Sequence, residues 1–349
     1  MATSSLIRSA LLRACPIAAL LLPGSHSAIA SDAILPPGPD AQAAAQQALL
    51  TTPPSRVLTI TYTTHNGHSR KAYVQLPDGY GPGSNPAIPL VISPHGRNAN
   101  GLSNSRFFGN LPAVGQFAVI SPDGMGRKDT YKSYGYEGQI DDLAKMPELA
   151  EAAFPWLRLD HDRVYALGSS MGGQETALLV ARHPRLLAGA AAMDSVTDLI
   201  RRYDQLLTVP CDKKCLRKWG KPYGFILQAA MRREVGGTPT DNPRAYALRS
   251  PLSQARAIAR SGVPFQIWWS SQDKIVVDQE HQSARLFQTL RELNPCAPVS
   301  AYEGRWKHST EMRAAALLPI ALAGFDLLPS DMKRLPRAVR YVPDPKCGL

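Results

Sequence analysis

The chain has 349 residues, 44% hydrophobic and 19% charged, which gives enough apolar content to close a sizeable core and excludes a mainly disordered chain. Its formal charge is +11, but the basic residues are scattered, with one concentration at Arg201, Arg202, Lys213, Lys214, Arg217, Lys218 and Lys221. No aromatic ladder or groove-reading motif accompanies them, so no nucleic-acid partner is expected and most of this charge reads as a solvated face.

Residues 1–30 read as a signal peptide, with Arg8 and Arg13, an apolar run from Ile17 to Leu22, and the small-residue pattern Ala28-Ile29-Ala30. The run falls well below the roughly 20 residues of a membrane span. No later stretch is long and apolar enough, so no integral membrane segment is expected after cleavage. Cys15 precedes the run and would leave with the peptide. The four remaining cysteines, Cys211, Cys215, Cys296 and Cys347, are an even set in a chain routed to a periplasmic or extracellular compartment, and disulfides are expected. Cys211 with Cys215 and Cys296 with Cys347 is the simplest of three connectivities. Zinc is a weaker reading, because only one pair is closely spaced.

Residues 31–55 read as an Ala/Pro/Gln-rich leader, residues 56–330 as the main folded domain and residues 331–349 as a C-terminal tail. Val57 to Thr63 and Lys71 to Leu76 alternate as strands around the His65-Asn66-Gly67-His68 turn. The runs 89–92, 117–120, 164–167, 188–193 and 265–269 are continuously apolar, as strands covered on both faces are. Helices are expected over 140–153, 174–182, 278–293 and 310–323. The alternation implies a mainly parallel sheet flanked by helices. Residues 195–262 are too long for a strand-to-helix loop and read as a cap or lid inserted after the sixth strand, helical around Tyr223 to Arg233.

The chemistry begins at Arg163 to Gly173, where an apolar strand runs into Gly168-Ser169-Ser170-Met171-Gly172 and then a helix. A sharp strand-to-helix turn lifts a serine hydroxyl clear of the sheet, and flanking glycines are needed where side chains would meet neighbouring backbone. Ser170 is therefore the candidate nucleophile, with Ser169 one place off the turn. A serine needs a base, and the order serine, acid, histidine leaves His183, His281 and His308. His308 follows a strand-like run, 299–303, in a loop at the carboxyl edge of the sheet, where α/β sites form. Asp273, at the end of strand 265–269, is the candidate acid that orients it. Asp194 is the runner-up and Asp278 a lesser option. Backbone donors for an oxyanion are expected at Arg97, in the Ser93-Pro94-His95-Gly96-Arg97 turn, and at Met171. His95 precedes the serine and reads as structural. The triad chemistry needs no cofactor and no metal.

These motifs, together with Ser121-Pro122-Asp123-Gly124, Asp141-Asp142 and Ser250-Pro251-Leu252, resemble in order the α/β-hydrolase fold as it occurs in secreted serine esterases related to polyhydroxyalkanoate depolymerases and feruloyl or acetylxylan esterases. They also resemble the catalytic domain of prolyl oligopeptidases. The likeness covers about residues 57–325, and the elbow is its only highly specific segment. It departs at Ser270-Ser271-Gln272 before Asp273 and at Lys307-His308. The resemblance implies ester hydrolysis through an acyl-enzyme on Ser170. A small prolyl oligopeptidase-like peptidase and an inactive binding protein on the same fold are the rivals. Export, Trp306 beside His308, Trp268 and Trp269 beneath Asp273, and the basic cap suggest an aromatic or polymeric ester, including one attached to an acidic polysaccharide; a small ester is also open, and Trp306 and Asp194 are the candidate substrate-binding residues. Trp268 and Trp269 read as core.

Overall fold

The computed structural model describes residues 55–128, 130–345 and 347; the expected signal peptide and nearly all of the leader lie outside the described residues. Strands β1 (Ser55–Thr63), β2 (Ser69–Pro77), β3 (Ile88–Ile92), β4 (Ala118–Pro122), β5 (Leu159–Ser169), β6 (Gly189–Met193), β7 (Phe265–Ser270), β8 (Val299–Gly304) and β9 (Arg340–Val342) form one sheet. Their spatial order is β1-β2-β4-β3-β5-β6-β7-β8-β9. Strands β4, β3 and β5 to β8 run parallel, while β1, β2 and β9 pair antiparallel at the two edges.

The continuous apolar runs have a simple cause. Successive side chains of a strand point to opposite faces. Leu90, Ile92, Val164, Ala166 and Ile267 enter one apolar core, while Val91, Tyr165, Leu167, Met193 and Trp268 enter the other. Because both faces are covered, no polar alternation survives.

Helices α1 (Gly101–Ser105), α2 (Leu111–Gly115), α3 (Glu137–Ala144), α4 (Met146–Ala153) and α5 (Met171–Arg182) precede β6, and α11 (Ser283–Leu293) and α12 (Leu318–Ala323) follow β7. Three expected helices are shorter or broken. The helix over 140–153 is two, because Pro147 cannot continue one and instead sits in the first turn of the next. The helix over 278–293 begins only at Ser283, after a single 3-10 turn at Gln279–His281. Residues 310–317 are mostly turns, with the Ala314 amide donated to Phe107 O, so α12 covers only the end of 310–323. The tail also contains structure, since Arg340 and Tyr341 pair with Glu303 and Tyr302 across β8–β9. Three residues are too short a run to stand out in sequence.

Between β6 and β7 lie α6 (Leu199–Gln205), α7 (Lys213–Trp219), α8 (Tyr223–Val235), α9 (Pro243–Leu248) and α10 (Ala255–Ala259). Leu199, Tyr203, Leu227, Met231 and Tyr246 of this segment form a small core of their own, shared with Tyr134 and with Val276. Disulfides join Cys211 to Cys215 and Cys296 to Cys347.

The order β4-β3-β5 is a topological switch point. The chain leaves β3 to one side and, after crossing back, leaves β5 to the other, which opens a crevice above the carboxyl ends of these two strands.

Candidate active site

Ser170 stands at that crevice, between the end of β5 and the start of α5, with φ 62° and ψ −122°. Such a backbone is costly for a residue with a side chain and persists only where its surroundings enforce it. The glycines explain how the turn closes. A Cβ on Gly168 would lie 2.6 Å from the Gly172 carbonyl, and one on Gly172 would lie 2.2 Å from Pro94 O. The Ser170 amide donates to Met193 O at 2.9 Å, tying the elbow to β6. The turn after β3 faces it, since a Cβ on Gly96 would sit 3.8 Å from Ser170 Cβ. Of the expected oxyanion donors, Met171 directly follows Ser170 at the start of α5, and Arg97 follows Gly96 in the facing turn.

His308 lies in the loop after β8, and its Nδ1 is 2.7 Å from Asp273 Oδ2. Asp273 is fixed by further donors: the amides of Ile275 and Val276 reach Oδ1 at 2.8 and 3.0 Å, and Gln279 Nε2 reaches Oδ2 at 3.2 Å. The His308 loop is fastened to the elbow one residue away on each side, through a 2.9 Å hydrogen bond between the Ser169 and Ser309 hydroxyls. The other histidines after Ser170 lie elsewhere: His183 pairs with Asp141, and His281 pairs with the partly exposed Asp278. His95 is buried and its Nε2 lies 2.7 Å from Asp123 O.

Asp194, at the end of β6 with φ 42°, is wholly buried. Its Oδ1 accepts from the Ser270 amide at 2.9 Å, and its Oδ2 from Trp306 Nε1 at 2.9 Å and the Ser309 amide at 3.3 Å. The expectation that Asp194 faces substrate is corrected accordingly, whereas Trp306 stays half-buried. Asp194 is closed off from solvent, and the polar edge of Trp306 is spent on holding it. Donor atoms of Asp194, Asp273 and His308 lie within 4.8 Å of one another. These are atom types that could ligate a cation, but protein N–H groups already occupy every carboxylate oxygen, so the cluster reads as a hydrogen-bond network. Trp268 is fully buried and stacks on Tyr302 at 3.7 Å, and Trp269 is also in the core.

Two carboxyls back this network. Burial, and then the charge of Asp273, push Asp194 up to about 6, against the lowering effects of His308, Glu311 and Trp306. Glu311 is buried and accepts from Ser169 Oγ at 2.8 Å. Burial and the charge of Asp194 hold it well above the usual carboxylate range. Sequence reasoning missed Glu311 and Ser309. Their only local signal is proximity to His308, since the partner Ser169 is 142 and 140 positions away.

The fold and this constellation define the class: the chain has the α/β-hydrolase fold. Residues 89–210 match the alpha/beta hydrolase fold family. Among solved structures it is similar to an acylaminoacyl peptidase of Pyrococcus horikoshii, with 16% identity and TM-score 0.54, covering 76% of this chain and 39% of that one. It is also similar to an S-formylglutathione hydrolase of Staphylococcus aureus, with 16% identity and TM-score 0.51, covering 73% of this chain and 92% of that one. A substrate-bound fluorophosphonate-binding serine hydrolase of Staphylococcus aureus matches at 16% identity and TM-score 0.54, covering 78% and 99%. The chain thus spans about two fifths of the peptidase's length and nearly the whole of the two hydrolases. No curated protein matches its sequence significantly.

Proposed function

We propose that the protein is a serine hydrolase acting on carboxylic esters through an acyl-enzyme on Ser170. The observation that carries this is the strained Ser170 elbow fastened, through Ser169 and Ser309, to a histidine loop whose imidazole is held by a buried aspartate. In this reading Ser170 Oγ bonds to the acyl carbon while its proton passes to His308 Nε2. Asp273 holds Nδ1–H in place and stabilises the imidazolium. The tetrahedral oxyanion is received by the amides of Arg97 and Met171. Collapse breaks the bond to the alcohol, which leaves with the proton from His308. Water then repeats the sequence with the base regenerated, returning Ser170 and releasing the acid.

The helices between β6 and β7 act as a cap, a reading supported by the Tyr223 hydroxyl, which accepts from Arg97 Nη2 at 2.7 Å and Asn98 Nδ2 at 3.2 Å beside the oxyanion turn. Two disulfides and the amino-terminal pattern support export of the protein. The substrate is a small or polymeric ester.

The test is the intact mass of the purified protein after incubation with a fluorophosphonate, followed by peptide mapping and turnover of 4-nitrophenyl butyrate against a peptide 4-nitroanilide. One adduct on Ser170 and faster ester turnover are expected. A folded protein that forms no adduct ends the hydrolase reading, and faster amide turnover replaces the esterase by a peptidase.

A further inference from the structure

Arg202 belongs by sequence to the basic cluster of the cap, yet it is only 4% exposed. Its Nη2 donates to Ile275 O, in the loop that carries Asp273, while its buried Nη1 has no hydrogen-bond partner among the described residues. Leaving a donor of a charged group unmade in the interior is costly, and native structures rarely tolerate it without a reason. Asp273 does not meet the need, because its oxygens receive Ile275, Val276, Gln279 and His308.

A buried phenol lies beside it. The hydroxyl of Tyr134 is within hydrogen-bonding reach of Arg97 without a well-aligned bond, and the charges of Arg97 and Arg202 both act on it. Tyr134 is held in a left-handed conformation, φ 48°, with its carbonyl accepting from Gln174 Nε2 in the first turn of α5 at 3.2 Å. The strained backbone therefore fixes this phenol next to the elbow helix. Arg97 links the buried pair to a cleft of about 500 Å³ whose lining includes Arg70, Arg97, Tyr131 and Lys132.

The potential here favours negative charge. The Tyr223 phenol is raised by burial, but the charge of Arg97, hydrogen bonds from Asn98 and Arg97, and the charge of Lys132 outweigh this and leave it below its ordinary value. Arg202 is lowered by burial to about 10 and so stays charged at neutral pH.

We propose that Arg202, Tyr134 and Arg97 form a carboxylate-binding site beside Ser170, and that the substrate is an ester bearing a free carboxylate. A planar guanidinium with an unused N–H, next to a phenol O–H, matches the two oxygens of one carboxylate. The inference rests on the hydrolase reading above and names the substrate class for that same site.

The experiment measures kcat/KM for two ester pairs that differ in a carboxylate. 4-Nitrophenyl hydrogen succinate against 4-nitrophenyl butyrate places the charge on the acyl side, and 4-acetoxybenzoate against phenyl acetate places it on the alcohol side. The wild type is expected to prefer the charged member of one pair by about tenfold or more, the scale of one hydrogen-bonded charge contact. Arg202→Gln and Tyr134→Phe should each remove most of that ratio, mainly through KM. Tyr134→Phe, which keeps the ring in place, carries the test if Arg202→Gln does not fold. Labelling of Ser170 by a fluorophosphonate is followed in parallel. Labelled Ser170 with no preference in either pair overturns this inference alone, as does a variant that lowers charged and neutral esters equally, since Arg202 would then only brace the Asp273 loop. A folded protein whose Ser170 does not label overturns the hydrolase reading and this inference with it.

Discussion

Replacing Asp273 by Asn tests which carboxylate orients His308. The amides of Ile275 and Val276 both point at Oδ1 and require an acceptor there. In Asp273→Asn the side-chain oxygen is therefore kept at that position, and the amide NH2 takes the place of Oδ2, 2.7 Å from His308 Nδ1. A donor there forces Nδ1 to accept, so the ring proton moves to Nε2, the atom that must take the proton of Ser170. The base is then in the wrong tautomer although the geometry is preserved. When the same change is made in the chymotrypsin-type triad the loss in kcat is about 10,000-fold, close to 5.5 kcal/mol, and a loss of that order is expected here. Asp194→Asn sets the comparison. It places an NH2 against the Ser270 amide or against the Trp306 and Ser309 donors, at a cost of about 1–3 kcal/mol in stability. It leaves Asp273 on His308, so its activity should fall by about tenfold, the equivalent of 1.4 kcal/mol. The assay is kcat on 4-nitrophenyl butyrate for both variants, with circular dichroism and urea unfolding to verify the fold. If Asp273→Asn stays within tenfold of wild type while Asp194→Asn loses the larger factor, the acid is Asp194 and the argument from Oδ1 is refuted.

Ser170→Ala should lower turnover by about a millionfold and abolish the fluorophosphonate adduct in a protein that still unfolds cooperatively in urea; residual turnover within a hundredfold would move the nucleophile elsewhere. Glu175, buried one turn beyond Ser170 with Ser133 and Gln139 as donors, is raised by burial to about 7. A carboxyl raised in the folded state contributes stability below its unfolded value of 4.5 and loses it as pH rises through 7, so Glu175→Gln should gain about 2 kcal/mol on wild type between pH 5 and pH 8. Equal urea midpoint differences at the two pH values would show that Glu175 does not titrate in that window. Replacing Cys296 and Cys347 by Ser opens a loop with a sequence separation of 51 and should cost about 4 kcal/mol, with hydrogen exchange rising first in β9; no change in the urea midpoint would mean the bridge is absent from the native protein.

How much of this was legible in sequence depends on how far apart the partners stand. The elbow was readable because a single turn demands Gly168, Ser170 and Gly172 together, and the structure shows the contacts that make those glycines necessary. The buried strands were readable because covering both faces erases alternation over four or five consecutive residues. His308 and Asp273 were reachable by chain order and by their positions at strand ends. Glu311, Ser309 and the β9 edge were not, because each is defined by a partner across the sheet and none leaves a local pattern. Arg202 is the sharpest case. In sequence it sits beside Arg201 among exposed basic residues, and the two differ only in which side of α6 they occupy: Arg201 pairs with Asp278 at the surface, while Arg202 is turned inward.

The surroundings of His308 contain charges beyond the proposed triad. Asp273 is joined, within 4.8 Å, by a second carboxylate at Asp194. Two like charges so near each other, both out of solvent, should not both stay ionised without compensation. The fold supplies it in two ways. Asp194 is given three protein donors, Ser270, Trp306 and Ser309. Burial and the charge of Asp194 also disfavour a third negative charge on Glu311, whose carboxyl they push well above its ordinary range. The same residues brace the geometry, because Ser309 fastens the histidine loop to Ser169, and Ser169 in turn donates to Glu311. Ionising Glu311 would therefore raise the charge behind His308 and disturb the contact that positions its loop at the same time. On this argument Glu311→Gln, which keeps a neutral acceptor for Ser169, should be tolerated, whereas Glu311→Ala should loosen the histidine loop and lower kcat with little change in KM. Equal effects of the two substitutions on kcat would show that the hydrogen bond from Ser169 plays no part in positioning His308.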